Sequence, residues 1–300
     1  MAKTMFHSST ASTQEPSNRV HLPYTHTMAR IWLVTGASRG LGQALVQAIL
    51  ASGDSVVATA RNRDQLNYLI DEYGPDRVLT TTLDVTDNEQ VLRVVDYAHE
   101  AFGRIDLVVN NAGFGETASI EDFDPEAFRA QIETNLFGVV NVTKAVLPIM
   151  RQQKSGHILQ VSSVGGRVGS PGLGGYQAAK WAVGGFSTVL SKEVSPFGIK
   201  VTVLEPGGIK TDWAASSMVQ GPISQPYEQT VGAFKKLRLL HIDNGSEPGK
   251  IANAILYISN VENPPLRLLL GPDTVQYAKA ASDELASSDE RWRYVTMLDV

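Results

Sequence analysis

From residue 31 onward, short runs dense in aliphatic and β-branched residues alternate with longer segments whose apolar positions recur every three or four residues. The short runs predict strands over 31–35, 55–60, 77–83, 105–110, 157–162, 200–205 and 266–270. The longer segments predict helices over 41–52, 63–73, 87–102, 125–152, 174–194 and 248–260. Local signals mark several helix ends. Thr86-Asp-Asn-Glu89 reads as a capping box ahead of Val91, Val94 and Val95. Asp124-Pro125 reads as an N-cap followed by proline at the first helical position. Gly53, Gly74 and Gly103 stand where helices should stop. Strand–helix alternation implies parallel strands, because each parallel crossover is covered by a helix. The expected fold class is α/β, a single doubly wound domain over residues 30–272.

Three regions depart from this rhythm. Residues 1–29 are rich in Ser, Thr and His and lack apolar periodicity, and Met28 sits just before the first strand. They read as a disordered or extraneous tail. A mitochondrial transit peptide is the alternative, although no amphipathic helix is visible. Residues 207–247 scatter Gly, Pro and Ser among Trp213, Met218, Ile223, Tyr227 and Phe234. An excursion of that length reads as a lid or substrate loop. Residues 273–300 read as a C-terminal helical extension with a loose end.

Composition narrows the function classes. A net charge of −5 offers no basic footprint for nucleic acid. With no cysteine, disulfides, thiolate metal sites and cysteine nucleophiles are excluded, and the chain suits the cytoplasm. No run approaches the ~18 apolar residues of a membrane span. His7, His21, His26, His99, His157 and His241 show no metal-ligand spacing, so no metal is expected. Neither Ser162 nor Ser163 lies in a G-x-S-x-G elbow. Lys235-Lys236-Leu-Arg238 reads as a solvated basic face, with pairing to an acidic group on a substrate as the sharper alternative.

The candidate chemistry begins at Thr35-Gly36-Ala-Ser38-Arg39-Gly40-Leu41-Gly42, between the first strand and the first helix. Glycines let the backbone turn and approach a pyrophosphate, and a helix N-terminus presents free N–H groups to it. The second strand ends in Ala60-Arg61 without the acid that usually holds the 2′-hydroxyl of NAD. Arg39 and Arg61 instead suit a 2′-phosphate, so NADP(H) is the expected cofactor. In Tyr176-Gln-Ala-Ala-Lys180, the phenol and the ammonium share one helix face. A neighbouring cation lowers a phenol's pKa, so Tyr176 is expected to titrate low and exchange a proton with an oxygen. Gly36, Asn111 and Ser163 all fall at carboxyl ends of predicted strands, the edge where open α/β sheets bind ligands.

Thr35–Gly42, Leu83-Asp84-Val85, Asn110-Asn111-Ala112-Gly113, Asn135, Ser162-Ser163, Tyr176–Lys180 and Pro206-Gly207 match in order and spacing. On these residues the chain from about 31 to 271 resembles the classical short-chain dehydrogenase/reductase family. The long loop and the Pro264–Gly271 ending resemble, more loosely, its 17β-hydroxysteroid-dehydrogenase-like branch. The resemblance implies a seven-stranded, mostly parallel Rossmann-type sheet and nicotinamide-dependent carbonyl–alcohol interconversion on a mostly apolar small molecule. It gives Tyr176 the proton, Ser163 the substrate carbonyl, Lys180 the phenol and the nicotinamide ribose, and Asn135 a relay water. It sets Asp84 and Val85 beside the adenine, and Asn111, Ala112 and Gly113 on the adenosine side. Pro206, Gly207, Ile209 and Thr211 flank the nicotinamide. Substrate determinants are expected at Phe114, Val164, Arg167, Leu173, Trp213 and residues 214–240. The family pairs subunits through the helices here at 125–152 and 174–194, implying a homodimer, with a tetramer also open. A silent NADP(H)-sensing or scaffold protein is the non-enzymatic alternative, and an epimerase or dehydratase of the extended branch the enzymatic one.

Overall fold

The computed structural model describes residues 29–211, 218–240 and 244–298. Seven strands form the main sheet: β1 (Ile31–Val34), β2 (Ser55–Ala60), β3 (Val78–Thr82), β4 (Leu107–Asn110), β6 (Gly156–Val161), β7 (Ile199–Pro206) and β9 (Arg267–Leu270). All pair in parallel, in the order β3-β2-β1-β4-β6-β7-β9. Each lies within two residues of its expected span. The order reverses between β1 and β4, which opens a crevice at the carboxyl edge.

Burial explains the apolar runs. Side chains alternate across a strand, so Trp32 and Val34 enter one core while Leu33 enters the other. The first core is closed by α1 (Gly40–Ala51) and α8 (Pro248–Ser259). The second is closed by α3 (Asn88–Phe102), α5 (Gly138–Gln153) and α6 (Gly174–Val194). Both faces of the sheet are therefore covered, and the strands read as continuous apolar runs.

The structure also corrects several expectations. The helix after Thr86 is capped by Asp87, whose carboxylate accepts from Gln90 N at 2.9 Å. Thr86 is drawn back to Asp84 instead, its hydroxyl donating at 2.7 Å, so no capping box forms. Residues 63–66 make a 3-10 turn before α2 (Asn67–Tyr73). The helix expected over 125–152 is interrupted: a wide π turn at Glu133–Phe137 separates α4 (Pro125–Ile132) from α5. Asp124 caps α4 as expected, accepting from Glu126 N and Ala127 N.

The segment after β7 is less irregular than its composition implies. It contains β8 (Met218–Gln220), which pairs in parallel with β5 (Gly115–Thr117), and α7 (Ala233–Leu240). The C-terminal extension is one helix, α9 (Pro272–Thr296).

Candidate active site

The carboxyl ends of β1, β4, β6 and β7 frame a cleft of about 1540 Å³. At one end lies the glycine loop. Gly36 and Gly40 take left-handed φ values of +65° and +56°, which glycine adopts without strain. A Cβ on Gly42 would lie 2.2 Å from Gly36 O, so only hydrogen fits where α1 meets the loop. Asn111 fastens the loop to β4: its Nδ2 donates to Thr35 O at 2.9 Å and Gly36 O at 3.0 Å. Thr35 Oγ1 accepts from the backbone of Asn111 and Ala112, each at 3.0 Å. Asn110 bridges Gln160 and Thr143 through its Nδ2.

The residues present fit a dinucleotide. The first turn of α1 carries no acid to oppose a diphosphate. Ser38, Arg39, Leu41 and Arg61 line that end, followed by Asp84, Val85, Asn111, Ala112 and Gly113. Asp84 also holds the next turn, accepting from Thr86 N at 3.0 Å. Val85 packs against Gly138, where an added Cβ would sit 2.4 Å from it. Pro206, Gly207, Ile209 and Thr211 line the far wall. Asp273 from α9 closes on this wall, its Oδ2 accepting from Gly208 N at 3.2 Å.

The cleft also gathers Asn135, Ser163, Tyr176 and Lys180, delivered by the π turn, the loop after β6, and α6. Ser163 Oγ accepts from Gly165 N at 3.0 Å and also hydrogen-bonds the Tyr176 side chain. Lys180 is buried; its Nζ stands 5.6 Å from the Tyr176 ring centroid and donates to Val161 O at 2.8 Å. Asn135 is fully buried and bonds Phe114 in both directions, donating to its carbonyl at 2.8 Å and accepting from its N–H at 3.2 Å. A Cβ on Gly113 would lie 2.5 Å from Asn135 Oδ1 and 3.7 Å from Lys180 Nζ, so glycine there lets the two groups share one space.

The electrostatics overturn one expectation. Burial pushes the Tyr176 phenol up to about 12, against the hydrogen bond from Ser163 and the positive charge of Arg238, which both pull it down. Burial also brings the Lys180 ammonium down to about 8. Removal from water sets the direction of both shifts.

Phe114, Val164 and Leu173 line the cleft, whereas Arg167 does not: it turns away to Glu205. Trp213 and residues 214–217 lie outside the described residues. From the expected segment 214–240 the structure brings Met218, Phe234, Leu237 and Arg238 to the lining, and it adds Asp273 and Tyr277 from α9. Phe234, Leu237 and Arg238 have helical i, i+3, i+4 spacing, a signal hidden by the glycine- and proline-rich surroundings.

A doubly wound sheet with a glycine loop at its crevice and a Tyr–Lys helix beside it defines a dinucleotide-dependent oxidoreductase. A profile of the short chain dehydrogenase family matches residues 30–220, and the chain belongs to that family. Its sequence is similar to Oxidoreductase BOA17 of Botryotinia fuckeliana, 59% identical over 273 residues that cover 90% of this chain and 99% of that one. Its structure is similar to a short-chain dehydrogenase from Streptomyces avermitilis, with TM-score 0.86, 35% identity, and coverage of 92% of this chain and 100% of the other. An alcohol dehydrogenase from the archaeon Thermococcus sibiricus, complexed with 5-hydroxy-NADP, aligns with TM-score 0.67 and 27% identity, covering 81% and 96% of the two chains. The family acts on alcohol and carbonyl groups and binds nicotinamide cofactors. Among the described residues no helix is long and apolar enough to cross a membrane.

Proposed function

We propose that the protein is an NADP(H)-dependent reductase of an apolar carbonyl compound, with Tyr176 as proton donor. The observation that carries this reading is the convergence of Ser163, Tyr176 and Lys180 on one cleft with the glycine loop. Arg39 and Arg61 would hold the 2′-phosphate, the first turn of α1 the diphosphate, and Lys180 the nicotinamide ribose. The nicotinamide, when bound, supplies the hydride to the carbonyl carbon. Ser163 hydrogen-bonds the carbonyl oxygen and holds it in place as negative charge develops there. Tyr176 gives that oxygen its proton. With its pKa pushed up to about 12, the phenol stays protonated at neutral pH, which suits reduction better than oxidation. Lys180 then restores the proton to Tyr176, with Asn135 beside it in the relay. Phe114, Val164, Leu173, Met218 and Phe234 make the substrate wall apolar.

The test is NADPH consumption against a panel of ketones, aldehydes and quinones. Tyr176→Phe is expected to lower turnover by at least ~10²-fold while NADPH affinity holds; an active Phe variant refutes the role. Arg39→Ala combined with Arg61→Ala should weaken NADPH binding and leave NADH binding little changed. Equal weakening of both would remove the basis for NADP(H).

A further inference from the structure

The substrate side of the cleft carries one charged group for which the carbonyl chemistry has no use. Arg238 lies on α7, where it lines the cleft together with Phe234 and Leu237. The neighbouring lysines face elsewhere: Lys236 pairs with Glu228 at 3.6 Å, and both lysines border a separate surface hollow. Arg238 is half-buried and has no ion-pair or hydrogen-bond partner among the described residues. It is the only charged side chain that residues 207–247 contribute to the described lining. Of the three carboxylates of the lining, Asp84 meets Thr86, Asp273 meets Gly208, and Glu133 is exposed to solvent with no ion pair to Arg238 among the described residues. Arg238 also lies within electrostatic reach of the Tyr176 phenol, so its charge sits close to the reacting end.

A cation drawn partly out of water among apolar side chains is costly unless an anion meets it. We propose that Arg238 docks an anionic oxyacid group, a carboxylate or a phosphate, carried by an otherwise apolar carbonyl substrate. A guanidinium presents a planar fork that grips either group through two parallel hydrogen bonds. Anchored there, the substrate is fixed at a second point besides its carbonyl, which sets which face is reduced. The inference rests on the reading of this cleft as a carbonyl-reducing site, but its test is a binding measurement that needs no turnover.

Decanoate, decyl phosphate and uncharged methyl decanoate are titrated calorimetrically into the full chain, with and without NADP(H), for the wild type and Arg238→Gln. At least one anion should bind the wild type ~10-fold or more tightly than the ester, as a charge-assisted bond predicts, and the stronger anion identifies the group. Arg238→Gln should bring that anion to the level of the ester without changing the ester, and Arg238→Lys should recover part of the difference. Wild-type preference should shrink as salt rises. No anion preference in the wild type, or a preference that survives in Arg238→Gln, overturns the proposal. Should the Gln variant fail to fold, the wild-type comparison and its salt dependence decide alone. Failure of the carbonyl reading looks different: Tyr176→Phe would keep reducing neutral 2-undecanone while the binding preference stood.

Discussion

Thr202 Oγ1 donates to Pro265 O at 3.0 Å, so the ring nitrogen of His157 that faces it at 3.0 Å, Nε2, must itself donate. The other nitrogen, Nδ1, is then an unprotonated acceptor, buried and without a partner among the described residues. Burial pulls the His157 pKa down to about 3 from an ordinary 6.5, and the charges of Lys200 and Arg30 pull the same way. The folded state therefore binds this proton less readily than the unfolded chain. The stability it contributes is complete above pH ~6.5 and is lost as pH falls toward ~3, with a slope approaching about 1.4 kcal/mol per unit. His157→Gln, which keeps a donor for Thr202 but cannot ionise, should flatten urea-denaturation stability between pH 4 and 6.5. An unchanged slope would show that other groups govern acid unfolding. The same distinction marks what was legible in the sequence. The four-residue spacing placed Lys180 beside Tyr176, yet the direction of the phenol's shift depended on burial, which spacing does not report.

At the scale of elements, Glu205 joins parts of the cleft that lie far apart in sequence. It is fully buried near the end of β7 and accepts from Arg167 Nε and Arg267 Nε, each at 2.7 Å. Arg167 follows the turn that carries Ser163, and Arg267 also donates to Gly166 O at 3.2 Å. Arg267 lies against Gly184 of α6, where an added Cβ would come within 3.1 Å. One carboxylate thus ties β7, β9 and the Ser163 turn together, with α6 packed against them. The arginine side chains keep 26% and 32% exposure, so part of their charge remains solvated when the anion is removed. Glu205→Gln should then cost about 2–3 kcal/mol, below the full penalty for breaking a buried pair. Denaturant melts check this; a change under ~0.5 kcal/mol would mean the pairings contribute little. None of this network was visible in the sequence, where Arg167 read as a substrate determinant. The seven strands were visible because burial on both faces leaves uninterrupted apolar runs. By contrast, β5 and β8 depend on a long-range pairing, Gly115 with Met218, which no local pattern encodes.

For the molecule as a whole, α9 divides into two parts with different standing. Thr274 and Ala278 are buried, Asp273 holds Gly208, and Tyr277 lines the cleft, so the first two turns belong to the cleft wall. From Ser282 to Leu298 every residue is exposed, including Leu285, Trp292, Tyr294 and Met297. Trp292 and Tyr294 stack on each other, with centroids 5.9 Å apart. A helix stretch without tertiary burial adds little to stability. A chain ending after Ser282 should therefore melt within about 0.5 kcal/mol of the full protein and bind NADPH equally well. A chain ending after Leu270 loses the Asp273 contact and the two buried side chains, and should be measurably less stable and weaker for NADPH. Thermal melts and NADPH fluorescence on both truncations separate the two parts. If the shorter truncation alone lowers stability in proportion to protein concentration, the exposed aromatic end is covered by a second copy of the chain in solution, because only an association equilibrium makes melting depend on concentration.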